Sequence, residues 1–216
     1  MSFSVTLLYD NTSMHPDCIA DWGFSCLVEG DGLPTVLFDT GADDAILLHN
    51  MDALHRSPKE VDMVVISHPH FDHIGGLAGF LRANSDVELY VPYSFRGVRR
   101  ATRVEHLNVP KSITPRVHVT GELDGKEMFL LIQTDVTRCL VSGCLHVPLE
   151  QILACDDRFS NPTDFVGGLH HYRDFTVLGK LNSVCPTHCS KFGEEFKLQH
   201  PLAFLQGGVG QVFKYE

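Results

Sequence analysis

The distribution of apolar residues along the chain predicts short buried strands that alternate with helices and turns. Mostly apolar, β-branched runs indicate strands, and they cover residues 4–9, 24–29, 35–38, 61–66, 87–91, 128–133 and 138–141. Helical spacing or a helix-like start predicts helices over 43–54, 75–81 and 149–155. Segments 175–178 and 183–185 are expected to be the last elements of this series. Because strands precede helices in both halves, we expect mixed α/β layers around one core.

The segment from about residue 94 to 118 departs from this pattern. It is basic and is predicted to be irregular, with cationic side chains from Arg96 to Arg116. Its stretch 96–103 is interpreted either as a solvated face or mobile lid, or as a site for an anionic substrate group such as phosphate. No repeat or linker divides the 216 residues, so we expect one domain spanning 1–216.

The composition is that of a folded acidic protein. Apolar residues make up 44% of the chain, and 17 Lys and Arg against 27 Asp and Glu give a formal net charge of −10. Such a chain is poorly suited to hold nucleic-acid phosphates. No apolar run reaches the ~18 residues that a bilayer crossing needs. We expect a small-molecule substrate and neither a nucleic-acid nor a membrane partner; the composition does not decide the oligomeric state.

The cysteines indicate a reducing compartment. The chain has seven of them, an odd number, and it is too large to need a disulfide framework. Its first ten residues lack a basic segment and reach an acid at Asp10, which is not typical of a secretory signal. We therefore expect a cytoplasmic protein with reduced thiols. Cys185 and Cys189 form a Cys-x3-Cys pair without a second pair, which is weak evidence for structural zinc.

The residues with the clearest chemistry lie in Ser67–Gly76, which reads SHPHFDHIGG and follows a predicted buried strand. His68, His70 and Asp72 are two residues apart, so an extended backbone places them on one side. His73 breaks that period and can point to a second location. Imidazole and carboxylate groups are usual zinc ligands and also suit iron or manganese. Four such ligands within six residues can therefore serve two neighbouring ions.

This segment resembles the metallo-β-lactamase superfamily, whose signature is H-x-H-x-D-H after a strand. Phe38–Gly41 is similar to the superfamily's earlier Asp-Thr-Gly turn. Further motifs resemble a branch of metal-dependent hydrolases related to the dihydropterin ribofuranosyl-aminobenzene phosphate synthase-like proteins, and they lie at 8–11, 21–25, 142–146, 167–170 and 186–189. The resemblance extends from about residue 5 to 213. It implies an α/β fold, a four-layer αββα sandwich with the metals at one edge of two sheets.

The resemblance also implies a set of site residues. Three ligands are implied for each ion, namely His68, His70 and His146 for the first, and Asp72, His73 and His188 for the second. Asp72 would in addition orient the attacking water as a catalytic residue. His170 is a candidate for substrate binding or for an extra ligand. Asp39 is expected to orient a histidine through a hydrogen bond.

One position departs from the superfamily pattern. The superfamily commonly has Gly-Asp at its fourth motif, with the Asp bridging both ions, whereas here Gly143 is followed by Cys144. Either a thiolate takes that role, or only water bridges the ions, or the second site is weak. Cys144 can equally be a small buried apolar residue. A thiolate ligand would favour zinc over magnesium or manganese.

These observations predict a hydrolase with two divalent metal ions, zinc in the first place and iron or manganese as alternatives. Two ions ~3.5–4 Å apart can hold a hydroxide and polarise a carbonyl or phosphoryl oxygen. The resemblance implies a small substrate, phosphorylated or pterin-like. The alternatives are an iron-dependent oxygenase, a non-catalytic metal-binding protein of the same fold, and a synthase acting on a pterin precursor.

Overall fold

The strands pair into two mixed sheets. The computed structural model describes residues 2–98 and 100–216, so Met1 and Arg99 lie outside the described residues. With strands numbered in chain order, the first sheet contains β1 (Phe3–Tyr9), β2 (Ser25–Gly30), β3 (Val36–Phe38), β4 (Met63–Val65), β5 (Glu88–Pro92), β6 (Arg103–Leu107) and β13 (Val212–Tyr215). Its spatial order is β13-β1-β2-β3-β4-β5-β6. The strands β3 to β6 are parallel, and the remaining pairs are antiparallel.

The second sheet repeats this mixed design. It contains β7 (Lys111–Thr114), β8 (Val117–Val119), β9 (Leu130–Gln133), β10 (Arg138–Ser142), β11 (Asp164–Gly168) and β12 (Ser183–Thr187), in the spatial order β12-β11-β10-β9-β8-β7. The strands β10, β11 and β12 are parallel, and the others are antiparallel. Parallel strands run in one direction, so their carboxyl ends meet at one edge of the sheet.

The described residues also contain six short α-helices: α1 (Asp44–Ala53), α2 (Phe71–Ile74), α3 (Leu77–Ala83), α4 (Leu149–Ala154), α5 (Phe175–Leu178) and α6 (Gly193–Gln199). The longest, α1, is capped by Asp43, whose carboxylate accepts hydrogen bonds from the backbone N–H groups of Ala45 and Ile46. Such a cap satisfies donors that the first turn leaves free. Across the described residues, none of the helices has the length and apolarity needed to cross a bilayer.

Apolar side chains fill three spaces between the layers. Along β3, Val36 and Phe38 face the space between the sheets, whereas Leu37 faces α1 and α3 on the outside of the first sheet, as the two-residue period of a strand requires. A third group packs α4, α5 and α6 on the outer face of the second sheet. The predicted four-layer αββα sandwich is therefore confirmed.

The prediction of an irregular segment at 94–118 is wrong, because β6, β7 and part of β8 lie in it. The strands β6 and β7 are the outer strands of their sheets, so polar side chains such as Arg103 and Lys111 alternate with apolar ones. Segment 175–178 is a helix and 183–187 a strand, and neither is last, since α6 and β13 follow. The strand β11 was not predicted, because its Gly167 and Gly168 weaken the strand pattern.

Candidate metal centre

The predicted ligands follow strands that end at one edge of the two sheets. His68 and His70 come directly after β4 and lead into α2, which carries Asp72 and His73. His146 follows β10, and His188 comes immediately after β12. Ligand sites outside the carboxyl ends of parallel strands are a general feature of such sheets. The arrangement brings residues that are up to 120 positions apart in the chain into one small region.

The first group consists of His68, His70 and His146. One ring nitrogen from each lies within 4.8 Å of the other two. His68 is buried and its Nε2 is 3.0 Å from His70 Nδ1, while the His68 and His146 ring centroids are 4.8 Å apart. The Nε2 atom of His146 is buried and has no hydrogen-bond partner. Three imidazoles thus converge on a space that a cation can fill.

The second group consists of Asp72, His73 and His188, whose ligand atoms also lie within 4.8 Å of one another. Nε2 of His188 is 3.2 Å from Asp72 Oδ2, but it makes no hydrogen bond of acceptable geometry although it is buried. The loop of His188 is held by Asp10 and Asn11 after β1. Asp10 Oδ1 accepts the backbone N–H of His188, at 2.8 Å, and Asn11 Oδ1 lies 3.1 Å from Nδ1.

The two groups are neighbours, and Cys144 lies between them. The rings of His68 and His73 are 4.2 Å apart between centroids. The Cys144 sulfur is 3.2 Å from His73 Nε2 and belongs to a further candidate group with these two histidines. Cys144 is only 3% exposed. The position where the superfamily commonly has a bridging Asp therefore holds a buried thiol.

Cys189 was not predicted as a ligand, yet its Sγ lies 3.3 Å from that of Cys144. Cys144, His188 and Cys189 form the fourth candidate group. Cys185, the expected partner in the Cys-x3-Cys pair, is instead fully buried in the core between the sheets. The sequence signal for Cys189 was its position beside His188 in the motif at 186–189.

Asp39 orients two histidines through a buried network, which includes the hydrogen bond expected of it. Its Oδ2 accepts from His73 Nδ1 at 2.7 Å and from Ser67 Oγ at 2.6 Å. Ser67 Oγ in turn lies 2.8 Å from His68 Nδ1. With both Nδ1 atoms used as donors, the Nε2 atoms of His68 and His73 present lone pairs to a metal.

Glu127 holds the loop after β10, although the sequence did not predict a role for it. Its side chain is fully buried, and its two oxygens accept the backbone N–H groups of Cys144 and His146, each at 2.8 Å. Burial raises the pKa of Glu127 to about 7. Nothing in the local sequence marks this residue, because its partners are backbone groups far along the chain.

The Trp22 side chain contacts the carboxylate of Asp72, one of the candidate ligands, from the solvent side. Its indole Nε1 donates to Asp72 Oδ2 at 2.9 Å, and its ring lies 4.8 Å from that of His188, although 56% of its surface is exposed. Burial raises the pKa of Asp72, but His73 and the Trp22 N–H lower it by more, so the net pKa lies below its usual range. Asp72 is therefore an anion at neutral pH.

Of the other eight histidines, His170 lies at the rim of the centre, and His106 and His118 lie on β6 and β8. His170 lies beside the first group, with its ring 4.7 Å from that of His146, and its Nδ1 is 2.7 Å from that of His171. It belongs to none of the four candidate groups. His106 is exposed on β6, and His118 is buried with its Nδ1 2.9 Å from Ser112 Oγ.

Strained backbone is concentrated at this edge. Outside glycine, positive φ angles are uncommon and are often found at functional sites. Four of those in the described residues fall in the loops that carry the site: Asp39, Leu145, His170 and His188. Two of these positions are held by hydrogen bonds to carboxylates, from the Ser67 N–H to Asp39 and from the His188 N–H to Asp10.

The side chains at this edge fit divalent cations. Burial lowers the pKa of His146 and of His188 to about 4, and it lowers that of His68 further. These imidazoles are therefore neutral at physiological pH and can donate lone pairs. Two of them have buried Nε2 atoms without a partner, and the nitrogen, carboxylate and thiol donors form a set that suits zinc.

Comparison with known proteins agrees with the geometry. A family model described as the metallo-beta-lactamase superfamily matches residues 23–135, which include the H-x-H-x-D-H segment. The chain belongs to the metallo-β-lactamase superfamily. The resemblance found in the sequence is thereby confirmed, and the candidate centre lies where two sheets of this fold meet.

Individual members of the superfamily match nearly the whole chain. The chain is 34% identical to the 7,8-dihydropterin-6-methyl-4-(beta-D-ribofuranosyl)-aminobenzene-5'-phosphate synthase of Methanocaldococcus jannaschii, over 97% of this chain and 95% of that one. The crystal structure of a metal-dependent hydrolase of the superfamily superposes with a TM-score of 0.75, at 22% identity, over 99% and 98% of the two chains. The metallo-beta-lactamase fold protein YhfI from Bacillus subtilis gives a TM-score of 0.69 at 14% identity and 99% coverage of both chains.

Proposed function

We propose that this chain is a metal-dependent hydrolase that holds two divalent ions, zinc in the native protein. The observation that carries the proposal is the pair of adjacent three-ligand groups at one edge of the sheets, each with a buried, unpartnered imidazole nitrogen. The first ion would be held by His68, His70 and His146. The second would be held by Asp72, His73 and His188.

The chain's own residues prepare this centre for hydrolysis. Two divalent ions, when bound, lower the pKa of a coordinated water and polarise a carbonyl or phosphoryl oxygen. Asp72 acts as the catalytic carboxylate, because it is ionised and lies at the solvent side of the centre beside Trp22. The Trp22 N–H fixes one carboxylate oxygen, which leaves the other to accept a hydrogen bond from the nucleophilic water.

The surroundings support a small, anionic substrate. A cavity of about 340 Å³ opens beside the first group, lined in part by His70, His146 and Lys126. Lys126 is half-exposed and its ammonium donates to the Asp124 carboxylate, so a phosphate or carboxylate of the substrate would compete with Asp124 for it. His170, whose ring lies 4.7 Å from that of His146, would contact the substrate at the rim of the centre. Arg96, by contrast, donates to the backbone carbonyls of Tyr93 and Phe95, which favours a structural role for that part of the basic stretch.

A second candidate is a pterin-related synthase. The M. jannaschii relative is such an enzyme and matches this chain over nearly its full length. The same centre would then act on a dihydropterin precursor, with the half-exposed ring of Trp22 available to stack on a planar heterocycle. The phosphate in the name of that product agrees with a cation such as Lys126 at the cavity.

Metal quantification joined to an activity panel tests the proposal. Purified protein is expected to hold two transition-metal ions per chain and to hydrolyse at least one of a panel of phosphomonoesters, phosphodiesters, thioesters and lactones. The His68→Ala/His70→Ala variant is expected to lose one ion and all activity, while His106→Ala keeps both. Formation of a ribofuranosyl-aminobenzene phosphate adduct from a dihydropterin, without hydrolysis, would favour the synthase instead. Unchanged metal content in the double variant would refute the ligand assignment.

A further inference from the structure

The two thiols at the centre have no assigned part in the six-ligand scheme. Cys144 is buried and its sulfur lies within reach of both ligand groups. Cys189 is half-buried and approaches it from the loop after β12. Both belong to one candidate group with His188, whose Nε2 is buried and has no hydrogen-bond partner. The His188 Nε2 atom, which lies 3.2 Å from Asp72 Oδ2, and the two sulfurs are thus close enough to share one cation.

The spacing of the sulfurs resembles that of two ligands of one ion. With Zn–S bonds of ~2.3 Å at a tetrahedral angle, two thiolates on one zinc lie about 3.8 Å apart. A disulfide would bring them to ~2.05 Å. The observed separation of 3.3 Å, at which the Cys189 thiol donates a hydrogen bond to the Cys144 sulfur, is closer to the first value. Only a small outward movement would place both sulfurs on a common cation.

The surrounding backbone is shaped to allow this approach. A Cβ on Gly168 would lie 2.8 Å from the Cys189 sulfur and 2.2 Å from the carbonyl oxygen of Gly143. Glycine at this position is therefore required for the loops of Cys144 and Cys189 to meet. The Cys144 loop is fixed further by the hydrogen bond from its backbone N–H to Glu127.

The net charge of the proposed ligands also favours binding of the two cysteines as thiolates. Among the six proposed ligands only Asp72 is an anion, whereas two divalent ions bring four positive charges. The neighbouring carboxylates of Asp39 and Glu127 are committed to Ser67 and His73 and to backbone N–H groups, respectively. Two thiolates would add two negative charges directly at the ions, where burial makes unbalanced charge costly.

We propose that Cys144 and Cys189 join Asp72, His73 and His188 as thiolate ligands of the second ion, which would then have five protein ligands, with Cys144 lying towards the first ion. Each thiol releases its proton to solvent as its sulfur–metal bond forms. The site then prefers a thiophilic cation such as Zn²⁺ or Cd²⁺ over Mn²⁺ or Mg²⁺. This inference rests on the metal centre of the proposed function but not on its hydrolytic chemistry.

Cobalt substitution under anaerobic conditions tests the thiolates directly. Metal-free wild-type protein loaded with Co²⁺ is expected to show thiolate-to-cobalt charge-transfer absorption in the near ultraviolet. Cys144→Ser and Cys189→Ser should each weaken that band, and the double variant should lose it. Cys155→Ser, at a cysteine outside the candidate groups, is the matched control and should keep it. Cd²⁺ affinity should fall at least about tenfold in the double variant, with Mn²⁺ affinity unchanged.

A second measurement needs no substitution. Alkylation of wild-type protein by iodoacetamide, followed by peptide mapping, should slow at Cys144 and Cys189 when Zn²⁺ is added, with Cys155 as the internal reference. Wild-type protein that binds two Co²⁺ without the band, or thiols that Zn²⁺ does not protect, would overturn the inference. If hydrolysis persists in that case, the proposed function still stands. A charge-transfer band in a protein that hydrolyses nothing would support the thiolates and defeat the proposed function.

Discussion

Asp39 accepts three hydrogen bonds in a fully buried position between the ends of β3 and β4. Two come from the backbone and hydroxyl of Ser67, and one comes from His73. A carboxylate in this position fixes the ring orientation and the tautomer of the ligands behind it. The chemistry of the candidate centre therefore depends on residues that never reach a metal.

Substitution of Asp39 by Asn is expected to weaken metal binding about 10–100-fold, because the amide cannot accept all three hydrogen bonds. Competition with a chromophoric chelator measures the affinity of the variant and of wild type. Asp52→Asn, at an exposed position on α1, is the matched control and should bind as wild type does. Equal affinities for the two variants would show that Asp39 does not orient the ligands.

The pH dependence of stability in the metal-free protein follows from the buried histidines. Burial depresses the pKa of His146 and of His188 from the ordinary 6.5 to about 4 in the folded chain. Between these values the unfolded chain binds protons that the folded chain does not. Acidification from pH 6.5 towards 4 is therefore expected to lower the free energy of unfolding.

Urea unfolding of chelator-treated protein across that pH range measures this effect. His146→Gln should reduce the slope of stability against pH, since it removes one of the histidines whose pKa burial lowers. His106→Gln, at an exposed position on β6, serves as control and should keep the wild-type slope. A slope that is the same in all three proteins would contradict the assignment.

At the scale of elements, the site depends on loops that pack backbone against backbone. Gly75 follows α2, and a Cβ on it would lie 2.0 Å from the carbonyl oxygen of Ala42. The helix that carries Asp72 and His73 is thereby pressed onto the loop after β3. This contact, with the hydrogen bond from Thr40 N–H to the His73 carbonyl, positions the second ligand group.

Gly75→Ala is expected to destabilise the protein by about 1–3 kcal/mol, because the added methyl group overpacks this contact. It should also weaken binding of the second ion by displacing α2. Gly193→Ala is the comparison, since its Cβ would lie 3.4 Å from the nearest atom, in Pro186, at the start of α6. Urea unfolding should show a loss of stability only for Gly75→Ala. Equal urea midpoints for the two variants would mean that the loop after β3 moves to accommodate the added methyl group.

Much of this architecture was predictable from the sequence, and the failures have physical causes. Apolar runs such as 61–66 identify central strands because both faces are buried. The outer strands β6 and β7 escaped because only one face of each is covered and the other carries charge. The H-x-H-x-D-H segment predicted four candidate ligands, and all four lie in the candidate groups because local spacing determines their geometry. Glu127 and Cys189 could not be found in this way, because their partners become neighbours only in the folded chain.

On the scale of the whole molecule, the candidate centre joins the two sheets. His68, His70, Asp72 and His73 follow a strand of the first sheet, whereas His146 and His188 follow strands of the second. Bound ions would therefore cross-link the two layers at the edge where they meet. The folded chain would gain that binding energy, and the unfolded chain, with its ligands far apart, would not.

Removal of metal is therefore expected to lower the melting temperature. At a free ion concentration 100 times the dissociation constant, a single site adds ~2.7 kcal/mol to the free energy of unfolding. Differential scanning calorimetry with zinc and with excess EDTA measures the shift. The His146→Ala/His188→Ala variant should melt at one temperature under both conditions. A wild-type melting temperature that EDTA leaves unchanged would show that the ions do not hold the sheets together.

The intrinsic fluorescence of Trp22 should report metal binding at the second site. It is the single tryptophan in the sequence, and its indole N–H is bonded to Asp72 beside the ring of His188. Any ion that draws on that carboxylate changes the electric field at the indole, so intrinsic fluorescence should shift as zinc is titrated in. Asp72→Asn should abolish the shift while leaving the emission of the metal-free protein in place. Occupancy of the second position can thus be followed in real time without a label.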